Sequence, residues 1–345
     1  MKAALYNAFR QPIAIETVPD PVPSDTAVVI RVAATGLCLS DWHGWMGHDP
    51  DIVLPHVPGH ELAGTIVETG TGVKRWTKGQ RVTVPFVGGC GHCVYCREGN
   101  QQVCNHQFQP GFTAWGSFAE YVAIDYADEN LVELPESMDF ISAASLGCRF
   151  VTAFRAVSDQ AGLQAGQWLA VHGCGGVGLS AIQIAKALGA RVIAVDITDE
   201  KCQLAKTLGA DIALNAAKTR VVQEILDYSG GGVHASIDAL GHPQTCLNSI
   251  HSLRKRGKHL QVGLLDPDQP APEIPMPKIL ANELQLIGSH GMQAHRYPAL
   301  FALIQKGGIQ LHQMVSQTLA LEAVPTVLPG LHLDPHPGLK VVTSF

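Results

Sequence analysis

The 345-residue sequence has no strong excess of either charge, no long apolar run and no internal repeat. Its 24 basic residues stand against 30 acidic residues, which gives a formal net charge of −6, and no basic block occurs. This balance argues against nucleic acid and anionic membrane surfaces as partners. A transmembrane helix needs about 18 consecutive apolar residues, and no such run is present.

The start of the chain, MKAALYNAFRQPIAIE, has no apolar segment of signal-peptide length. We therefore expect a cytoplasmic protein, in a compartment where disulfides are rare. The nine cysteines are also an odd number, which does not suit a complete disulfide framework.

The two parts of the chain have different patterns of elements. Short β-branched runs broken by glycine and proline predict an all-β unit of barrel or sandwich type in the first part: TAVVIRVAATGLC, ELAGTIVETG, QRVTVPF and FAEYVAI. From about residue 150, strands such as QWLAVHG and ARVIAVD alternate with helical segments, which predicts a parallel sheet covered on both faces. We expect a first domain of residues 1–149 completed by residues 289–345, and a second domain of residues 150–288.

A glycine-rich segment, HGCGGVG, follows the first strand of the second domain. Gly173, Gly175 and Gly178 form the G-x-G-x-x-G pattern, and a strand precedes and a helix follows it. Such a loop brings backbone and the helix N-terminus close to a pyrophosphate, and Gly176 lies in the same turn. Asp196 ends the next strand, where a carboxylate binds the ribose hydroxyls of the adenosine and repels a 2′-phosphate. The pattern predicts NAD rather than NADP.

The segment GGCGHCVYCREGNQQVC places Cys90, Cys93, Cys96 and Cys104 with the spacing C-x2-C-x2-C-x7-C. Four thiolates form a closed tetrahedral zinc site. Iron–sulfur clusters also use C-x2-C-x2-C, but nothing else in the sequence indicates electron transfer. We interpret this segment, the cysteine lobe (residues 88–104), as a structural zinc site.

Three further candidates lie outside the lobe, in GLCLSDWH, PGHE and SLGCRF. Cys38, His60 and Cys148 offer two thiolates and one imidazole, and three protein ligands leave a fourth position open, as a catalytic zinc requires. Taken singly, each residue could equally be an ordinary core residue. The remaining cysteines, Cys174, Cys202 and Cys246, are interpreted as structural.

Taken together, GLCLSDWH, PGHELAGTIVETG, the cysteine lobe, GCGGVG and the closing GLKVVTSF resemble the zinc-dependent alcohol dehydrogenases of the medium-chain dehydrogenase/reductase superfamily over essentially the whole chain. The resemblance implies an α/β plus β fold, with a GroES-like β-rich catalytic domain, a Rossmann cofactor domain with a doubly wound parallel sheet, and an active site in the cleft between them. It also implies one catalytic and one structural Zn²⁺ per chain.

The resemblance assigns roles to individual residues. Cys38, His60 and Cys148 match the catalytic zinc ligands, while Glu61 matches an acid that approaches the zinc during ligand exchange. Asp41 matches an acid that orients the ligand imidazole. The remaining matches are a proton relay to solvent and a set of cofactor contacts: Ser40 and His43 for the relay, Thr152 and Val177 at the nicotinamide, Lys201 at the adenosine ribose and Lys340 at the pyrophosphate.

Two residues depart from the family pattern. Leu39 stands where many relatives carry arginine or histidine against the pyrophosphate, which predicts looser cofactor binding. Arg149 follows the third zinc ligand, where relatives often have a small residue. Its side chain could reach the cleft or the domain interface, and the sequence does not decide which.

The resemblance implies a reversible hydride transfer between NAD and an alcohol or aldehyde. Aromatic residues in segments expected near the cleft favour primary, bulky or aryl substrates, although we expect at least two of them to be core residues: Trp42, Trp45, Phe86 and Trp115. The alternative substrates are polyols or other secondary alcohols, for which Arg149 is the one supporting residue.

Other functional classes are a zinc-free reductase of the superfamily, which the cysteines oppose, and a nucleotide-sensing protein with structural zinc only. We expect a homotetramer or homodimer paired through the edge strand LQLIGSH.

Overall fold

The computed structural model describes residues 1–265, 269–333 and 338–345. In chain order, its strands are β1 (Lys2–Leu5), β2 (Ala14–Thr17), β3 (Val28–Leu37), β4 (Glu61–Thr69), β5 (Arg81–Thr83), β6 (Tyr121–Ile124), β7 (Val132–Glu133), β8 (Trp168–His172), β9 (Arg191–Asp196), β10 (Ile212–Asn215), β11 (Val233–Asp238), β12 (Leu253–Gln261), β13 (Gln285–Gly288), β14 (Val315–Ala320) and β15 (Leu339–Ser344).

The helices are α1 (Leu39–Trp45), α2 (Val94–Arg97), α3 (Ala127–Asn130), α4 (Phe140–Leu146), α5 (Cys148–Phe154), α6 (Gly176–Ala187), α7 (Asp199–Thr207), α8 (Val221–Ser229), α9 (Pro243–His251), α10 (Met276–Asn282), α11 (Tyr297–Gln305), α12 (Leu311–Met314) and α13 (Val324–Val327). A π-helical turn, Arg155–Gln160, continues α5. Short 3-10 turns occur at Gln101–Val103, Ala294–Arg296, Leu321–Ala323 and Leu331–Leu333.

The chain divides into two compact units. Unit 1 comprises Met1–Val151, Gly291–Pro298 and Leu311–Phe345, and unit 2 comprises Thr152–His290 and Ala299–Gln310. The domain boundaries at residues 149 and 288 stay a prediction. The two units have their limits within two residues of these positions, and residues 299–310, which the prediction placed in the first domain, lie in unit 2. Part of the reason is a hydrogen bond of 2.7 Å from the backbone of Gln310 to Gln183 Oε1 on α6.

Unit 1 is built on a mixed sheet with strand order β14-β15-β3-β4-β5-β7, in which β6 also pairs with β3. β14 and β15 are parallel, whereas the other pairs are antiparallel. The β-branched residues Val28, Ile30 and Val32 of β3 are buried in the core of this unit, and Arg31 between them is exposed. Burial of one such side chain stabilises the fold by about 2 kcal/mol. The predicted β-rich first domain is confirmed.

Unit 2 contains a parallel sheet with strand order β10-β9-β8-β11-β12-β13. This is the doubly wound order in which ligands bind at the carboxyl ends of the strands, next to the point where the order reverses between β8 and β11. The predicted strands and the helices α6 and α7 are present. Thr198 is the N-cap of α7; its side chain accepts a hydrogen bond from the backbone of Lys201, and such a cap stabilises a helix by about 1 kcal/mol.

Membrane-spanning helices were sought in the described residues. No single helix there has the length and apolar composition to cross a membrane. One bent pair, residues 140–146 with 148–160, meets these criteria only when its two members are taken together.

Candidate active site

The cysteine lobe brings its four thiols together. The Sγ atoms of Cys90, Cys93, Cys96 and Cys104 all lie within 4.8 Å of one another, and the cysteines are free of disulfides. The Sγ atoms of Cys93 and Cys104 are 3.6 Å apart, and those of Cys90 and Cys96 are 4.0 Å apart. A tetrahedral zinc–thiolate site with Zn–S bonds of about 2.3 Å has sulfur–sulfur edges of about 3.8 Å. The four residues therefore fit a closed zinc site.

Backbone N–H groups stabilise the sulfurs of the lobe as thiolates. The backbone of Cys90 and of His106 donates to Cys104 Sγ at 3.3 and 3.2 Å, and the backbone of Cys93 donates to Cys90 Sγ at 3.4 Å. Hydrogen bonds from the backbone of Cys96 and Asn105 lower the pKa of Cys93 to about 6. Burial raises the pKa of Cys96 and of Cys104, so the backbone donors favour the metal-binding thiolate at Cys93 but do not outweigh burial at those two thiols.

A second donor cluster lies at three element boundaries of unit 1. Cys38 directly precedes α1, His60 directly precedes β4, and Cys148 begins α5. One donor atom each of Cys38, His60, Glu61 and Cys148 lies within 4.8 Å of the others. The sheet and the two helix starts thus bring together residues that are far apart in the sequence. We name this group the Cys38 cluster.

Asp41 holds two members of the Cys38 cluster in place. Its Oδ1 is 2.8 Å from His60 Nδ1 and accepts from the backbone of Gly59, while its Oδ2 accepts from the backbone of Cys38 at 2.9 Å. Both the aspartate and the imidazole are fully buried.

His60 Nε2 is left without a hydrogen-bond partner among the described residues. A buried nitrogen in this state is normally satisfied. A metal between it and the two thiols would supply the partner, and an aspartate on the opposite nitrogen is the usual support of a metal-bound histidine.

Glu61 and Arg149 form a buried ion pair at the Cys38 cluster. Arg149 Nε donates to Glu61 Oε1 at 2.9 Å, and Arg149 Nη2 donates to Glu61 Oε2. Burial raises the pKa of Glu61 to about 7, although the neighbouring guanidinium acts in the opposite direction. The side chain of Arg149 thus points toward Glu61 and the Cys38 cluster.

The predicted relay residues lie on α1, next to the Cys38 cluster. Ser40 Oγ is 3.6 Å from Cys38 Sγ, and His43 follows three residues later on the same helical face. His43 Nδ1 lies 2.9 Å from Nδ1 of His48, which is exposed. The sequence analysis did not identify His48, because only the turn after α1 brings the two imidazoles together.

Two phenyl rings flank the imidazole of His60. The ring centroids of Phe86 and Phe112 lie 6.0 and 5.1 Å from that of His60. Phe112 was missed by the sequence analysis, since its segment carries no motif. Trp42 and Trp45 pack against a hydrophobic core of unit 1, as expected for at least two of the four aromatic candidates. Trp115 is 36% exposed and donates its Nε1–H to the backbone of Pro55.

The glycine loop connects β8 to α6 in unit 2. Gly173 has φ of +96°, a conformation that favours glycine. A Cβ at Gly178 would lie 1.8 Å from the carbonyl oxygen of Gly173, so this position requires a residue without a side chain. A Cβ at Gly175 would meet no atom within 4 Å. Open space therefore lies beside the N-terminus of α6, where a pyrophosphate fits.

Asp196, the last residue of β9, is hydrogen-bonded to the glycine loop. Its Oδ2 accepts from the backbone of Cys174 and its Oδ1 from the backbone of Ile197, each at 2.8 Å. The carboxylate is 9% exposed. Oδ1 also accepts from the backbone of Thr198 at 3.4 Å, whereas Oδ2 retains a second lone pair, with which the side chain can bind a ribose hydroxyl while it holds the loop. The sequence analysis predicted the ribose contact but not the structural one.

The other predicted cofactor residues lie on regular elements of the two units. In unit 2, Thr152 is buried on α5, Gly176 and Val177 begin α6, and Lys201 lies in the first turns of α7. In unit 1, Lys340 lies on β15 in register with Leu37, one residue before Cys38. Their contacts to a cofactor stay predictions.

Comparisons with known protein families assign both parts of the chain. Residues 24–136 match the alcohol dehydrogenase GroES-like domain, and residues 176–306 match the zinc-binding dehydrogenase domain.

Characterised relatives extend this likeness. The chain is 38% identical over 276 residues to an alcohol dehydrogenase from Geobacillus stearothermophilus, over 79% of this chain and 80% of the relative. It is 34% identical to the NAD-dependent alcohol dehydrogenase of Sulfurisphaera tokodaii, over 96% of both chains. It is also 33% identical to the D-arabitol-phosphate dehydrogenase of Enterococcus avium, over 90% of this chain and 89% of the relative.

Solved structures show the same fold. The alcohol dehydrogenase TADH from Thermus sp. ATN1 superposes with a TM-score of 0.91 at 28% identity, over 100% of both chains. A zinc-binding dehydrogenase from Sinorhizobium meliloti 1021, bound to NADP, superposes with a TM-score of 0.88 at 27% identity, over 99% of this chain and 98% of the other. With the two matched domains and these relatives, the chain belongs to the zinc-dependent alcohol dehydrogenases of the medium-chain dehydrogenase/reductase superfamily.

Proposed function

We propose that this alcohol dehydrogenase depends on zinc and NAD and interconverts primary, apolar or aryl alcohols with their aldehydes. The observation that carries the proposal is the Cys38 cluster, in which two thiols and the partnerless Nε2 of a buried, oriented histidine converge. Zinc bound by Cys38, His60 and Cys148 would supply Lewis acidity toward the substrate oxygen. NAD would supply the hydride acceptor.

The side chains around the cluster would move the proton of the alcohol. Ser40 Oγ, beside Cys38 Sγ, would accept a hydrogen bond from the substrate hydroxyl. The imidazole of His43 would take up the proton, since its ordinary pKa lies near neutrality. His48, in contact with His43 and exposed, would pass the proton to solvent.

Asp196 supports NAD over NADP as the cofactor. A 2′-phosphate on the ribose would place negative charge beside this carboxylate. A structural neighbour with this fold is bound to NADP, so the fold by itself does not exclude that cofactor. The preference would therefore come from this side chain. Gly173, Gly175, Gly176 and Gly178 would bind the pyrophosphate, with Thr152, Val177, Lys201 and Lys340 as further contacts.

The substrate class follows from the side chains next to His60. Phe86 and Phe112 present apolar rings there, which suits an apolar or aryl substrate better than a polyol. The D-arabitol-phosphate dehydrogenase among the relatives keeps the polyol class as the second candidate. Arg149, the one residue that supported a polyol substrate, is hydrogen-bonded to Glu61, which weakens the case for this class.

The test is NADH formation from NAD⁺ or NADP⁺ with a panel of benzylic, aliphatic primary, secondary and polyol alcohols, together with metal analysis of the purified chain. We expect turnover with NAD⁺ and a benzylic alcohol, loss of turnover with a chelator, and zinc at both the lobe and the cluster. His60→Ala should lose turnover, whereas His92→Ala, at a histidine of the lobe surface, should not. Zinc in the lobe alone, with no turnover, would favour a nucleotide-sensing protein.

We also propose that chains associate through β13, as a homotetramer or homodimer. β13 lies at the end of the unit 2 sheet order, and its residues Gln285, Leu286 and Gly288 are exposed. An edge strand offers unpaired backbone groups to a second copy. A monomer in size-exclusion chromatography with light scattering would contradict this.

A further inference from the structure

We propose that Arg149 is a positioning residue that holds the Glu61 carboxylate away from the open position of the Cys38, His60 and Cys148 zinc site. The fourth position would thereby remain available to substrate. The inference rests on the proposed catalytic zinc and adds a role for an arginine that the family pattern does not require.

Glu61 is close enough to the cluster to act as a fourth ligand. One of its carboxylate oxygens lies within 4.8 Å of the other three donor atoms, and the residue is fully buried. Carboxylate oxygens of Asp and Glu are among the ligands that bind zinc in proteins. Without a competing partner, Glu61 would close the site, and a closed four-ligand site has no position for a substrate.

Arg149 engages both oxygens of this carboxylate. Its Nε and Nη2 donate to Oε1 and Oε2 respectively, and its backbone N–H lies 3.4 Å from Oε1. Such a two-pronged pair is strong and geometrically specific, and lysine cannot reproduce it. The carboxylate is thus held by three donors of one residue, which itself follows the ligand Cys148.

Two glycines provide the room in which the pair lies. A Cβ at Gly36, on β3, would be 2.4 Å from Glu61 Oε2 and 3.1 Å from Arg149 Nη2. A Cβ at Gly147, between α4 and α5, would be 2.4 Å from Glu61 Cβ. Any side chain at either position would displace the carboxylate, so the local backbone is matched to the paired geometry.

Arg149 and the zinc compete for the Glu61 carboxylate, because each offers it a positive charge. The two thiolate ligands reduce the pull of Zn²⁺ on the carboxylate, but a buried carboxylate without any cation beside it is strongly destabilising. Arg149 supplies that cation in the wild-type chain. When it is removed, the zinc becomes the cation nearest at hand, and the carboxylate is expected to move onto it.

The test uses the full-length chain with Co²⁺ in place of zinc, because the visible spectrum of cobalt reports its ligands, and imidazole as the probe of the open position. In Arg149→Ala, imidazole should bind at least about tenfold more weakly than in wild type, because Glu61 occupies the position. Adding Glu61→Gln should restore the affinity to within about twofold of wild type. Arg149→Lys should be intermediate.

The matched control is Arg256→Ala, which removes the arginine of an exposed Arg–Glu pair, with Glu283, and should leave the titration unchanged. Equal imidazole affinity in Arg149→Ala and wild type would overturn the inference, as would failure of Glu61→Gln to restore it. If Arg149→Ala does not fold, X-ray absorption of the wild type decides, and a carboxylate oxygen bound to the cluster metal is the contrary result. Cobalt that never enters the cluster of the wild type would instead refute the proposed function, and this inference with it.

Discussion

The cysteine lobe and the Cys38 cluster contain similar ligand types but are assembled in opposite ways. The lobe takes four thiols from residues 90–104, whereas the cluster takes its donors from residues 38, 60, 61 and 148. One short segment with tight turns brings the first set together. The second set requires β3, β4 and α5 to be in place. The comparison shows that a four-thiol site can form within one short segment, whereas a site with a free ligand position here depends on the folding of the whole unit.

The lobe and the cluster also differ in the groups that surround their donor atoms. In the lobe, backbone N–H groups point at the sulfurs and favour their thiolate form. In the cluster, charged side chains act instead, with Asp41 behind His60 and Arg149 on Glu61. Backbone donors cannot move without unfolding the turn, whereas side-chain partners can exchange. This difference suits a structural role for the lobe and a reactive role for the cluster.

The largest expected effect separates the two sets directly. Cys148→Ser should reduce kcat by more than about 100-fold and leave the thermal unfolding temperature close to that of wild type. Cys104→Ser should instead lower the unfolding temperature strongly, because binding of a structural zinc is folding free energy. Activity assays and calorimetry measure the two outcomes. Cys202→Ala, at a buried cysteine outside both sets, is the control. Identical behaviour of the two ligand variants would break the comparison.

A smaller effect is expected at the support of the cluster. Asp41→Asn keeps the size of the side chain but removes the charge that orients His60, so metal affinity or activity should fall by about 10- to 100-fold. Competition with a zinc-binding dye measures the affinity of each site. Zinc in the lobe should be retained at wild-type affinity. Loss of lobe zinc in this variant would show that the two sets are not independent.

The glycine loop of unit 2 contains one glycine that the fold requires, Gly178, and one that faces open space for a ligand, Gly175. Gly178→Ala should destabilise the fold by about 2 kcal/mol or more, because its Cβ would overlap the carbonyl oxygen of Gly173. Gly175→Ala meets open space and should weaken NAD binding with little effect on stability. Chemical denaturation and NAD titration of both variants distinguish these outcomes. A stable Gly178→Ala protein would contradict the close packing of α6.

Outside both donor sets, an effect confined to acidic pH is expected from His172, at the end of β8. Burial lowers its pKa from 6.5 to about 4, with Asp238 acting in the opposite direction and His259 adding to the shift. Between these values the unfolded chain binds a proton that the folded chain does not. The free energy of unfolding should therefore fall as pH decreases through this window, by up to about 3 kcal/mol. His172→Gln should have a shallower pH dependence in denaturant unfolding; an unchanged slope would contradict the assignment.

Motifs that act over a short stretch could be found in the sequence. The spacing of the lobe cysteines and the strand–glycine–helix pattern both depend on backbone geometry within a few residues, and the structure contains both. Cys38, His60 and Cys148 were candidates by residue type alone, and the resemblance to a family assigned them as ligands, since nothing local connects them. His48 and Phe112 were missed because their partners lie across a turn or on another segment.

By itself, the sequence determined the two types of sheet, the closed thiol lobe and the glycine loop, because hydrophobic period, turn residues and ligand spacing act locally. Only the tertiary structure decided the direction of Arg149, the hold of Asp41 on His60 and the assignment of residues 299–310 to unit 2. These depend on distances between segments far apart in the chain. Such distances follow from packing of the whole unit, which no short stretch of sequence specifies.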